Sequence, residues 1–258
     1  MKTKRYNNKI PENYQRVDNN LKNSSSESNR ILAKDLLGKY FFEEGNKILD
    51  IIENKKFLSS KDALELYKKA FGFFEDAQTK VSEYEDCGRY TIRGSDLCIF
   101  RENKASIRTN INYVVGKITM LNQKLERSQE NIPYILKVIE IHEAYETDIY
   151  DELKKINYNN LAFAYYKNGE YDKAIETCKK SIEFIGGKPF PYPHRNIILG
   201  YLGAQCLTEA KTATDLYLEM FDEIGDVLLK ELKIIKSQND SEIVSEIYKK
   251  FKSKKKIF

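Results

Sequence analysis

Hydrophobic positions recur along this chain with the spacing of helices. From Ile31 to about residue 53, Ile31, Leu37, Phe41, Ile48 and Ile52 fall largely on one stripe of a 3.6-residue period. Ser59-Ser60-Lys61-Asp62 reads as an N-cap with an acid in the first turn. It opens a second helix that carries Tyr67, Ala70, Phe71, Phe74 and Ala77 to about residue 85. Residues 86–102 hold two glycines among β-branched and aromatic residues and read as a long loop with a short extended piece. Ile107, Ile111, Val114, Ile118 and Leu121 set a third helix over about 103–127. Asn131-Ile132-Pro133 is a cap with proline in the first turn, which starts a fourth helix over about 132–144. Two more helices, about 147–167 and 171–185, are separated by Asn168-Gly169, and Gly169 suits a helix end at positive φ. The run from Gly186 to Pro193 breaks the pattern, and helices are expected over about 194–206, 209–236 and 240–252. Residues 1–30 show no period and are expected to be disordered.

Composition narrows this to one fold class. Only 12 glycines and 5 prolines occur in 258 residues, too few turn-formers for a many-stranded sandwich or barrel. The chain is expected to be all-α, built from consecutive antiparallel helix pairs. Charge is unevenly placed: of the net +4, residues 1–30 carry +4 and residues 249–258 carry +6, which leaves −6 on residues 31–248. The expected layout is a basic N-terminal segment (1–30), a helical domain (31–248) and a basic C-terminal tail (249–258). Such a tail can contact RNA or an acidic membrane, or serve only as a solvated end. Its six lysines come with no arginine and little aromatic interleaving, so it reads no bases. Cys87, Cys98, Cys178 and Cys206 show no metal or redox spacing. No secretory apolar segment follows Met1, and no apolar run reaches the ~18–20 residues of a membrane span, so a reduced, cytoplasmic protein is expected.

One segment says more than the rest. Residues 155–184 read KINYNNLAFAYYKNGEYDKAIETCKKSIEF. Ala162 and Ala174 are small enough for two helices to approach closely, while Tyr158, Leu161, Tyr165 and Tyr171 fill the hollows around them. Cys178 and Ser181-Ile182 continue the alternation of large and small. This segment resembles the tetratricopeptide repeat, a helix–turn–helix unit that cannot bury its face alone and so stacks on neighbours. Two further stretches resemble it more weakly. Phe41–Phe71 contains Gly45-Asn46 and Ala63…Tyr67…Ala70; Ile198–Leu218 contains Tyr201, Leu207 and Ala210, with Tyr217 where a small residue is expected. The resemblance implies a superhelix of about nine helices, four pairs and a C-terminal helix.

The resemblance also implies function. Such arrays bind a protein or peptide segment on the concave face formed by the first helix of each pair. The chain is therefore expected to be a non-catalytic adaptor with no cofactor, metal or small-molecule substrate. Asn159, Asn160, Phe163, Tyr166 and Lys167 share the first helix of the firm repeat and are expected to line the groove, with Arg195 nearby. In the co-chaperone type, lysine, asparagine and arginine clamp a terminal carboxylate. Asn46 and Asn160 match the asparagine places, but Phe42, Tyr192 and Asn196 occupy the lysine and arginine places. Lys167, Lys188 and Arg195 are the nearby cations that would replace them. A second resemblance is to phosphopeptide-binding 14-3-3 proteins, through Leu58-Ser59, Tyr67–Gly72 and Phe221-Asp222-Glu223. Glu75 and Thr79 stand where that family's phosphate-binding arginines would be, so its pocket would be degenerate. Enzyme chemistry lacks its parts: His142 has no second histidine one turn away, and no phosphate-binding glycine loop occurs.

Overall fold

The structure is a computed structural model that describes residues 15, 27–55, 57–85, 96–143, 151–183, 190–222 and 224–255. Most of the segment expected to be disordered, the loop at 86–95, and Lys188 and Pro189 lie outside the described residues. The chain divides into two compact units, residues 1–126 and 127–258.

The first unit contains α1 (Glu27–Asn54), α2 (Ser60–Glu85) and α3 (Asp96–Lys124). α1 buries Leu37, Phe41 and Ile48 against Leu64, Ala70, Phe71 and Phe74 of α2. The close approach needs Gly45: a Cβ there would lie 2.6 Å from the Phe74 ring. Ser59 caps α2, accepting the Asp62 amide at 3.1 Å and donating its hydroxyl to the Asp62 carboxylate at 2.6 Å. α3 begins at Asp96, seven residues before the start that its apolar stripe suggests.

The second unit begins with a short 3₁₀ turn, Ser128–Asn131, followed by α4 (Ile132–Glu143). Six helices come next: α5 (Asp151–Lys167), α6 (Tyr171–Glu183), α7 (Pro191–Gly203), α8 (Leu207–Met220), α9 (Asp226–Gln238) and α10 (Glu242–Lys255). They form three successive hairpins, α5/α6, α7/α8 and α9/α10. α6 packs on α7, α5 on α7, α7 on α9 and α8 on α10, so each hairpin stacks on the next. In the first hairpin Gly169 takes φ +79°, and the amides of Gly169 and Glu170 satisfy the carbonyls of Tyr166 and Tyr165. The small positions lie at the helix contact: Ala162, Ala174, Cys178 and Ser181 are fully buried. The Ser181 hydroxyl donates to the Lys155 carbonyl at 2.8 Å, which satisfies a buried polar group across the pair. The core continues through Ile198, Leu199, Tyr217, Leu228, Leu232, Val244, Ile247 and Phe251.

Three expectations are corrected. The helix expected over 209–236 is two helices. Phe221 is extended (φ −132°, ψ 133°), which turns its ring into the core, and Gly225 is extended before α9. The described residues therefore hold ten α-helices rather than nine. α7 starts at Pro191, because proline in a first helical turn removes only amides that have no partner within the helix. α10 continues through Lys255, so most of the basic C-terminal segment is helical. Phe251 is fully buried there, Lys250 pairs with Asp215 at 2.6 Å, and Lys254 donates to the carbonyls of Leu218 (2.6 Å) and Phe221 (2.7 Å). Lys254 thus satisfies the open C-terminal end of α8, where a cation is favoured.

Candidate functional site

α5 carries the residues that the sequence selects, and the structure sorts them into different roles. Its positions 156, 160, 163 and 167 repeat at helical spacing and share one face. At the N-terminal half of this stripe Ile156 is 42% exposed. One turn on, Asn160 is half-buried and makes no side-chain hydrogen bond to a described residue. Phe163 is buried in the core cluster with Ile198, Leu199 and Leu228. At the C-terminal end Lys167 reaches Glu231 of α9, with Nζ 3.1 and 3.2 Å from the two carboxylate oxygens. The Tyr166 hydroxyl donates to the same carboxylate at 3.1 Å. Burial, with the charge of Glu231 beside it, pushes the Tyr166 phenol well above its ordinary value, so it stays a donor at any working pH.

Two members of the expected groove are therefore not open to a partner. Phe163 is core, because its side of α5 faces the cluster that runs on into α7 and α9. Asn159 is buried and accepts from Asn196 of α7, which donates to its side-chain oxygen at 2.9 Å and to its carbonyl at 3.3 Å. That contact is a brace between the first helices of two hairpins. Tyr166 and Lys167 are in place on the face but engaged by Glu231. Of the five on α5, Asn160 makes no side-chain hydrogen bond to a described residue.

The other two candidates lie elsewhere. Asn46 belongs to the first unit, where Asn110 of α3 donates to its side-chain oxygen at 2.8 Å. Arg195, on α7, is half-buried and stacks on Tyr192 with its guanidinium 5.0 Å from the ring centre. It lines a small cavity with Pro191, Tyr192, Tyr217 and Gly225, away from the 156–167 stripe, and burial lowers its pKa. Glu75 and Thr79 bond to each other as neighbours on α2, the Thr79 hydroxyl donating to the Glu75 carbonyl at 2.9 Å. His142 is buried, and the adjacent Glu143 carboxylate accepts from the Tyr158 hydroxyl. Cys178 is fully buried, and burial raises its thiol pKa, which suppresses the reactive thiolate. Among the described residues no cluster of three metal-ligating side chains occurs, and no helix is long and apolar enough to cross a membrane.

Three further residues share a face of α9. Val227, Glu231 and Ile234 recur at i, i+4 and i+7 on α9, and Val227 and Ile234 are 44% and 40% exposed on either side of the buried carboxylate. A signal existed for Glu231: it lies among Leu228, Leu232 and Ile235 at helical spacing, an acid on an apolar stripe. α5 and α9 thus meet at the Lys167–Glu231 bridge, with Val227 and Ile234 exposed on α9 and Ile156 exposed at the other end of α5.

Against known families, residues 158–185 match the family model of the tetratricopeptide repeat. Among curated proteins nothing matches the chain. The match begins within α5 and takes in the Gly169 turn and α6.

Proposed function

We propose that this chain, which carries a tetratricopeptide repeat at residues 158–185, is an adaptor that binds a segment of another protein on the face shared by α5 and α9. The repeat is a non-catalytic protein-interaction fold, and its function rests on what its surface displays. The observation that carries the reading is the pairing of exposed apolar side chains with an unengaged amide. Ile156 on α5 and Val227 and Ile234 on α9 are exposed, and Asn160 makes no side-chain hydrogen bond to a described residue. A bound segment would cover the apolar groups and hydrogen-bond to Asn160, the usual division of labour between affinity and specificity at an interface. The chain would act in the cytoplasm, and its partner would be a protein or peptide.

The test is affinity capture from the native cell with three baits: the unaltered chain, Asn160→Ala, and the double variant Ile156→Asp/Ile234→Asp. A protein held by the unaltered chain should be lost from the double variant and weakened by Asn160→Ala, with circular dichroism confirming that both baits fold. Identical captures by folded baits would remove this face from consideration.

A further inference from the structure

We propose that the connection between α1 and α2 is a membrane-contact tip, which sets Phe57 into the surface of an anionic bilayer with Lys55 and Lys61 against the acidic headgroups. The tip belongs to the first unit, and its role does not depend on the α5–α9 face.

The starting point is an aromatic ring left in water. Phe57 is 96% exposed, and Ile51, one turn before Lys55 on the same side of α1, is 44% exposed. The backbone on either side holds the ring in this position. The Lys55 amide still donates to the Ile51 carbonyl at 3.2 Å, so α1 fixes the chain up to that point. On the other side Ser59 caps α2, accepting the Asp62 amide on its hydroxyl at 3.1 Å and the Ala63 amide on its carbonyl at 2.9 Å. Phe57 stands two residues from each anchor.

Charge selects the occupant. Lys55 and Lys61 are exposed and make no ion pair with a described residue, and Lys56 adds a third cation to the sequence of the tip. The neighbouring acids are engaged or set back. Asp62 accepts from the Ser59 hydroxyl at 2.6 Å, Glu53 is near enough to Tyr67 of α2 to bear on its phenol, and Asp50 lies a turn before the end of α1. A protein pocket would have to be shaped to one projecting ring. An anionic bilayer needs only what the tip displays: the ring enters the acyl boundary, and the lysine stems reach back to the headgroups. No helix among the described residues is long and apolar enough to cross a membrane, so the contact is peripheral. One ring and three lysines give weak, reversible and salt-sensitive docking.

The chain has no tryptophan, so Phe57→Trp in the full chain introduces a single indole as reporter. It is mixed with vesicles of phosphatidylcholine alone, and with vesicles of three parts phosphatidylcholine to one part phosphatidylserine. The indole emission should shift to the blue with the anionic vesicles only, and the shift should disappear at roughly 0.5 M salt. In vesicle sedimentation, Phe57→Ser should bind the anionic vesicles about tenfold more weakly than the unaltered chain, as expected for one aromatic ring kept in water. Lys55→Ser/Lys61→Ser should lose about tenfold as well. All three positions are exposed, so the variants should fold, which circular dichroism verifies. No blue shift with either vesicle, an equal shift with pure phosphatidylcholine, or sedimentation unchanged by these variants overturns the proposal. So does binding that Lys249→Ser/Lys252→Ser abolishes and Phe57→Ser leaves intact, which would assign the membrane contact to α10. If the indole stays in water with both vesicles while Phe57→Ser loses a protein captured from the cell, the tip is a protein contact and the bilayer reading falls.

Discussion

Replacing Gly45 by alanine places a methyl group where the structure has no room for one. The added Cβ would lie 2.6, 2.7 and 2.9 Å from three carbons of the Phe74 ring. Ordinary carbon–carbon contact is about 3.5–4.0 Å, so a gap of roughly 1 Å must be opened. Phe74 is fully buried, and its ring is flanked by Phe42 with the centroids 5.9 Å apart. Overpacking of this kind costs about 1–3 kcal/mol. Opposing it, alanine in a helix interior is favoured over glycine by about 0.8–1.0 kcal/mol. Gly72 on α2 supplies the control, since a Cβ there meets nothing within 4 Å. Both substitutions share the helix-propensity gain, so the difference between the variants isolates the clash, about 1–3 kcal/mol. Urea unfolding of the full chain, followed by circular dichroism, measures it. Gly72→Ala should raise the midpoint, Gly45→Ala should fall below Gly72→Ala by that amount, and the slopes should match the unaltered chain. A Gly45→Ala chain as stable as Gly72→Ala would refute the close approach of α1 and α2.

Two further outcomes are expected. His194 packs on Phe221 with ring centres 5.3 Å apart, and burial lowers its pKa below 6.5. The unfolded chain therefore takes up this proton first as pH falls: the His194 contribution is complete above about 6.5 and is lost as pH falls through the lower folded value. His194→Gln should flatten the slope of stability against pH just below 6.5, and an unchanged slope there would contradict the burial. Removing residues 249–258 should destabilise the second unit rather than merely discharge it, because Phe251 is in the core and Lys254 closes α8. Loss of a buried phenylalanine alone costs about 3–5 kcal/mol. A truncated chain that melts like the intact one would show that this end is dispensable, whereas Lys249→Ser/Lys252→Ser, on exposed positions, removes charge while keeping the core.

The repeat was legible because its information is local. Ala162, Ala174, Gly169 and Cys178 are set by contacts within one hairpin, and the pattern of large, small and turn residues records those contacts directly. What escaped was set by distant partners. Asn159 and Phe163 share a helix with Asn160 and follow the same period, but Asn196 and the core of later hairpins bury them. Asn46 is engaged by a residue 64 positions away. The break between α8 and α9 is hidden because apolar spacing runs on through Phe221 and Ile224. The carbonyls it frees are taken by Lys254, from the other end of the unit. Tyr217, too large for its place by the repeat pattern, is accommodated against Phe251, 5.5 Å away across the hairpins.

The bridge from Lys167 and Tyr166 to Glu231 also changes how this unit comes apart. In stacked helical arrays stability is approximately a sum of terms for single repeats and for adjacent pairs, and the ends can fray while the middle holds. Here the first hairpin is tied to the third as well as to the second. That adds a next-nearest coupling, which penalises states with only one end open. Partly unfolded forms of α9/α10 lose the α5 bridge along with their own contacts. The bridge thereby favours joint melting of the three hairpins over fraying from one end.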